Sequence, residues 1–346
     1  MRGGLIALGI IALVAVGYIF FQGPSLTIIV APEHVFDFPL LGFGVTNTMF
    51  TSWLVVLLIC ATAWWVGRSI SLVPSGFSGA VEALVSGFYE TFVVNIVGEQ
   101  NGRRFFPLVM TIFLYVVISN YFGLLPFNNV IGVPEPGHGE KQIVFRQASI
   151  AGLDLAYIPF GGPLSGPEEI DIAAGDEVVV AHAAGDRFSG LLAPLFRSVN
   201  TDVNTPLAIA IFSFVFIEYW GFSALGPRYL IKFFNLGALL RGKVSGLIDV
   251  FVGLLELISE FARLVSFTFR LFGNIFAGEV LLLLMGFLVP FVLVDIFYGL
   301  ELFVGLVQAF VFAMLTLVFA QTAVQRHGDD HEEQGAQASA SNELQG

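Results

Sequence analysis

The stretch SFTFRLFGNIFAGEVLLLL, Ser266 to Leu284, sets Arg270, Asn274 and Glu279 within one long apolar run. Membrane-insertion scales put an arginine near the bilayer centre at a cost of about 2.5–3.5 kcal/mol, and more on an isolated helix. Similar runs recur along the chain, and runs of about 18 apolar residues or more read as membrane-spanning helices. Of 346 residues, 56% are hydrophobic and 12% charged, at a mean hydropathy of +0.84. Soluble domains are about a quarter charged. The chain therefore reads as an all-α polytopic membrane protein.

Working outward, Leu5 to Phe21 follows Met1 and Arg2 and reads as an uncleaved anchor or a signal-peptide core. Its length, with no clear small-x-small cleavage site, favours the anchor. Gln22 to Thr48 carries no Lys or Arg. Met49 to Val66 is a span that ends in WWVGRS, with Trp64 and Trp65 at the interface and Arg68 beyond. In VPSGFSGAVEALVSGFYETFVVNIVGE, Val81, Leu84, Val85, Phe88 and Phe92 recur at helical spacing while Glu82 and Glu90 interrupt them. That pattern predicts an amphipathic helix lying on the membrane surface. Arg103 and Arg104 precede the next span, Phe105 to Leu125. Residues 127–205 are rich in Gly, Pro, Asp and Glu, with GDEVVVAHAAGD reading as one or two short strands of a small outer domain. Pro206 to Phe222 crosses again, followed by Arg228, Lys232, Arg241 and Lys243.

Short Lys- and Arg-rich loops face the cytoplasm, which places both termini inside and residues 127–205 outside. The four cations of that long outer loop do not contradict this, because long loops translocate largely regardless of charge. Five to six membrane helices result. The last two runs, Ser245 to Leu288 and Phe291 to Ala323, are too long for upright spans. As single helices they would measure about 66 and 50 Å against a hydrocarbon core of ~30 Å. They are expected to form a strongly tilted, mostly continuous hairpin.

Glu256, Arg263 and Arg270 recur every seven residues and share a helical stripe. Glu260 lies one turn from Arg263, and that pair reads as structural. No carboxylate lies one turn before Arg270, where Ser266 and Phe267 sit, so its counterion is expected from outside the helix. Glu279 lies close to the opposite face, and Glu301 and Gln308 share a face of the next helix. Gln308 alone would read as a helix–helix hydrogen bond. If the helices pair, Glu279 and Glu301 line a pocket toward the outer side, with Glu256, Ser259 and Glu260 nearer the inner end. Two protonatable groups separated by a cation that does not deprotonate suit two half-access routes for protons.

Other chemistry finds little support. The net charge of −12 says little about nucleic acid, and no nucleic-acid partner is expected. Cys60, the one cysteine, reads as a small hydrophobe and permits no intrachain disulfide. His34, His138, His182, His327 and His331 all lie outside the spans, and HGDDHEE reads as a solvated acidic tail. No HExxH or P-loop is present, and neither cofactor nor metal is expected.

The block RLFGNIFAGE, Arg270 to Glu279, resembles the signature of subunit a of the F-type ATP synthase membrane sector. QAFVFAMLTLVF, FPLVMTIFLYVVISNYFGLLP and VNTDVNTPLAIA are similar to further blocks of that family in the right order, together covering most of residues 35–325. The surface helix is similar to the bacterial form. The resemblance implies a stator that meets a ring of c subunits, with b-type peripheral stalk and other ATP synthase subunits as partners beside the lipid bilayer. It implies a multi-pass protein of a bacterial inner membrane and a non-catalytic, proton-translocating role. By resemblance Arg270 takes the place of the essential arginine. Asn274, Glu279, Glu301 and Gln308 fall on positions of the outer half-channel, with Asn120, Asp202 and Asn204 near its mouth. Glu256, Ser259 and Ser266 fall on the inner route.

The chain divides into an N-terminal anchor and outer segment (1–48), first membrane helices with the interfacial helix (49–126), an outer loop (127–205), helices with the proton-path hairpin (206–323) and an acidic tail (324–346). Residues 127–198 exceed the family's usual outer loop, and the N-terminal run and tail are also atypical. A self-contained proton-coupled secondary transporter is the rival reading, but no internal repeat supports it. A purely structural scaffold would not need Arg270.

Overall fold

The structure, a computed structural model, describes residues 9, 32–38, 43–69, 75–125, 128, 131–135, 143–150, 153–157, 187–227, 229, 245–288 and 293–325. The N-terminal run, the stretch 175–186, the basic residues Arg228, Lys232, Arg241 and Lys243, and the acidic tail lie outside them. Among the described residues, five helical stretches are long and apolar enough to cross a membrane. In chain order the helices are α1 (Asn47–Arg68), α2 (Gly76–Phe88), α3 (Val94–Gly123), α4 (Asn204–Leu225), α5 (Ser245–Leu288) and α6 (Leu293–Val324).

The expected surface helix and the span after it run on through one π-turn, Tyr89–Val93, into α3. The break comes at Gly98, whose φ of 74° only glycine adopts without strain. α5 is continuous over 44 residues and α6 over 32, so neither expected long run breaks.

Two regions hold more strand than the sequence suggested. A hairpin, β1 (His34–Phe38) and β2 (Phe43–Thr46), precedes α1. Within residues 127–205, β3 (Ile131–Glu135), β4 (Ile143–Ile150), β5 (Leu153–Tyr157) and β6 (Arg187–Pro194) close into a ring of order β3-β5-β4-β6, all pairs antiparallel. These four strands are additional to the one or two short strands expected at 175–186, which lie outside the described residues. The pairing joins residues far apart in sequence, with Gly132 opposite both Ala156 and Pro194, and no local alternation reveals such closure.

The chain groups into two compact units. The first comprises residues 1–67, 114–205 and 270–309. Here Thr46 caps α1 by accepting the Met49 N–H at 3.3 Å. Buried Asn47 donates to Glu33 Oε2 at 3.3 Å and to the Pro194 carbonyl at 3.1 Å, tying α1 to the end of β6. Ser52 and the Tyr115 hydroxyl hydrogen-bond at 2.7 Å, joining α1 to α3.

The second unit comprises residues 68–113, 206–269 and 310–346. Its helices meet through aromatic pairs: Phe88 with Phe113 at 4.9 Å, Phe105 with Trp220 at 4.5 Å, and Phe267 with Phe312 at 5.1 Å between ring centroids. In lipid, such packing and interhelical hydrogen bonds replace the hydrophobic drive of water. Ser213 with Thr316 at 3.3 Å, and Asn101 donating to Gln321 at 3.1 Å, supply bonds of that kind, each worth about 0.6 kcal/mol. Arg263 donates to buried Glu260 at 2.6 Å, as the one-turn spacing predicted, and its guanidinium also stacks 4.0 Å over Phe319.

Candidate functional site

Within the first unit, α5 and α6 run antiparallel at close range. Gly278 lies directly against Glu301, and Gly286 faces Val294. The Glu301 carboxyl group occupies the space where a side chain on residue 278 would begin. Only a glycine at 278 therefore lets this carboxylate lie on the α5 backbone, and Glu301 is 7% exposed there.

A cavity of about 270 Å³ opens beside this contact, lined by Asn120, Arg197, Glu279, Tyr298 and Glu301 among others. Asn120, from α3, is buried and fully engaged. It donates to the Gly305 carbonyl of α6 at 2.9 Å and accepts from the Asn200 amide at 2.7 Å. Gly305 permits that approach, since a Cβ there would come 3.2 Å from the Asn120 Cβ.

Glu279 meets a partner that the sequence reading did not find. Nε of Arg197 lies 3.4 Å from its Oε1, with the arginine side chain only 5% exposed. Arg197 had counted merely as one of four cations in a long outer loop. The available signal was its place two residues before the polar block beginning at Val199. Three contacts fix its position. Its backbone N–H donates to Thr51 Oγ1 at 3.4 Å, Phe196 packs between Phe50 and Phe122 at 6.0 and 6.1 Å, and Ser198 fills the space a side chain at Gly123 would need.

The other expected residues fall in several places. Asp202 is buried outside the cavity lining, where it accepts from Thr48 Oγ1 at 3.2 Å and from the Asn204 amide side chain at 2.9 Å. It also accepts the Asn204 backbone N–H at 3.0 Å in the first turn of α4, where a carboxylate favours the helix dipole. Asn204 itself is exposed. Arg270 and Asn274 lie on an exposed face of α5, away from the cavity lining, and Gln308 is half-buried outside it. In the second unit Ser259 and Ser266 are exposed and Glu256 is half-buried. The structure thus gathers Asn120, Glu279 and Glu301 around one space and adds Arg197 to them. The described residues contain no His, Cys, Asp and Glu cluster able to hold a metal.

The model of the ATP synthase A chain family matches residues 49–321, most of the chain. The chain belongs to that family. Family membership makes it part of the ATP synthase complex, a multi-pass membrane protein engaged in ion transport. ATP synthase subunit a of Desulfosudis oleivorans is 28% identical over 279 residues, covering 79% of this chain and 86% of that protein. A relative described as sodium ion specific, from Propionigenium modestum, is 25% identical over 345 residues, covering 92% and 93%. Subunit a of Gloeobacter violaceus is 28% identical over 289 residues, covering 82% and 86%. The family match covers all of α5 and α6 up to residue 321.

Proposed function

We propose that this family member is the stator through which protons reach and leave a ring of c subunits by two half-channels, with Arg270 as the barrier between them. The observation that carries the reading is the division of faces on α5. Glu279 turns toward the cavity that also holds Glu301, while Arg270 and Asn274 stand on an exposed face. Nine residues separate Arg270 from Glu279, which amounts to about two and a half turns and opposite sides of the helix. One side then serves proton uptake, and the other presents a permanent cation to a travelling carboxylate on the ring.

In this scheme Asn120, Glu279 and Glu301 belong to the outer half-channel, with Asp202 and Asn204 at its mouth and Asn274 and Gln308 near its ring end. Glu256, Ser259 and Ser266 belong to the inner route. The cationic barrier matters because each proton crossing 100 mV carries about 2.3 kcal/mol, and a leak past Arg270 would dissipate it. The regions 1–48, 49–126, 127–205, 206–323 and 324–346 serve as outer anchor, first helices, outer domain, proton-path hairpin and tail. A bacterial inner membrane is the setting, with b-type peripheral stalk subunits holding the stator still.

The test is Arg270→Ala in membranes that retain the assembled complex. Proton-driven ATP synthesis should vanish while complex content stays near normal. Unimpaired synthesis would refute the barrier role.

A further inference from the structure

We infer that Arg197 is a positioning residue for ion passage through the outer half-channel, delivered to the cavity by the outer-loop sheet and acting through Glu279. The inference rests on the outer half-channel reading above and assigns a role to a residue that reading does not use. It begins with the path of the chain. β6 ends at Pro194, whose carbonyl is held by Asn47 at 3.1 Å, and Arg197 follows three residues later. Backbone and neighbours on both sides are fixed by Thr51, by the Phe50 and Phe122 rings, and by the close approach of Ser198 to Gly123. The guanidinium therefore enters the cavity from a rigid segment instead of a freely swinging loop.

Its charge decides what Glu279 can do. The cavity holds two carboxylates, Glu279 and Glu301, and Arg197 lies 3.4 Å from the first. A guanidinium does not give up its proton at any working pH, so it attracts its partner carboxylate and fixes its place, working against the burial that disfavours a charge there. Glu301 instead rests against the bare backbone of Gly278. The two carboxylates thus take different parts: Glu279 is held in place beside a fixed cation, and Glu301 rests on the α5 backbone. The outer-loop sheet acquires a purpose as well, because it fixes the strand exit that carries Arg197.

The inference is tested in vesicles bearing the whole complex, by following ATP-driven acidification with a pH-sensitive dye at matched complex content. Arg197→Gln should slow pumping about tenfold, a barrier change of about 1.4 kcal/mol. Arg197→Lys should recover most of that loss, because it restores the charge. The double variant Arg197→Gln/Glu279→Gln should pump no more slowly than Glu279→Gln alone, because Arg197 acts only through Glu279. Normal pumping by Arg197→Gln, failure of the lysine to rescue, or a further loss in the double variant would each overturn the proposal. If Arg197→Gln does not accumulate, the charge-balanced double variant compared with Glu279→Gln decides it: equal rates support the role and a lower rate refutes it. Arg270→Ala measured alongside separates the two ideas, since retained coupling there defeats the half-channel reading whatever Arg197 does.

Discussion

Replacing Gly278 by alanine perturbs one carboxylate and little else. The added Cβ would fall on the carboxyl carbon and both oxygens of Glu301, closer than any van der Waals contact allows. Carbon atoms settle about 3.5–4.0 Å apart, so the carboxyl group must retreat by more than about 1 Å. The far end of a glutamate can do so by turning its torsions, at about 0.5–1.5 kcal/mol for an off-rotamer angle. Folding and assembly should survive that cost. Proton transfer should not, because donor and acceptor must lie within about 2.6–3.2 Å. A displacement of this size can cost up to about a hundredfold in rate. We expect ATP-driven acidification of vesicles to fall between ten- and a hundredfold at unchanged complex content, within about that limit. Glu301→Asp added to Gly278→Ala shortens the side chain by one methylene, about 1.5 Å, and should recover part of the loss. Wild-type pumping by Gly278→Ala would show that the place of Glu301 against α5 does not matter for ion passage.

Two further outcomes follow from the second unit. Arg263→Gln removes the 2.6 Å partner of Glu260, which is 3% exposed, and should cost about 3 kcal/mol, the low end for a broken buried pair because Arg263 is itself 25% exposed. A lowered thermal midpoint of the solubilised complex would register it, and an unchanged midpoint would deny the pair its structural part. Tyr229 lies beyond the end of α4 against Gly221, where a Cβ would come 2.7 Å from its ring. Burial first, and then the Glu218 carboxylate, raise its phenol above the ordinary value. Its contribution to stability is therefore complete below about pH 10 and lost as pH climbs toward the folded value. Thermal midpoints taken on either side of pH ~10 should fall more steeply for the wild type than for Tyr229→Phe, and parallel slopes would contradict the assignment.

Much of the fold was legible because it is written locally. The expected long run Ser245 to Leu288 matches α5 at both ends, and Arg263 with Glu260 followed from one-turn spacing. The outer loop was not legible in the same way. Its strands close only through pairings such as Phe145 with Phe188, which no short window of sequence displays. The candidate site falls between these cases. Glu279 and Glu301 stood out as carboxylates in apolar runs, and Arg197 did not, because a cation in a polar loop is unremarked until the loop is seen to fold back.

The sequence by itself determined the membrane class, the rough limits of the described helices, and the cluster of polar groups in the last hairpin. Those features depend on run length, helical period and the placement of cations, which are properties of contiguous residues. Tertiary structure alone decided which polar groups share a cavity. It set Arg197 beside Glu279, laid Glu301 on Gly278, and left Arg270 and Asn274 on another face of α5. The physical reason is that close approach between distant segments is set by packing. Small residues such as Gly123, Gly278 and Gly305 permit contacts there that periodicity cannot report.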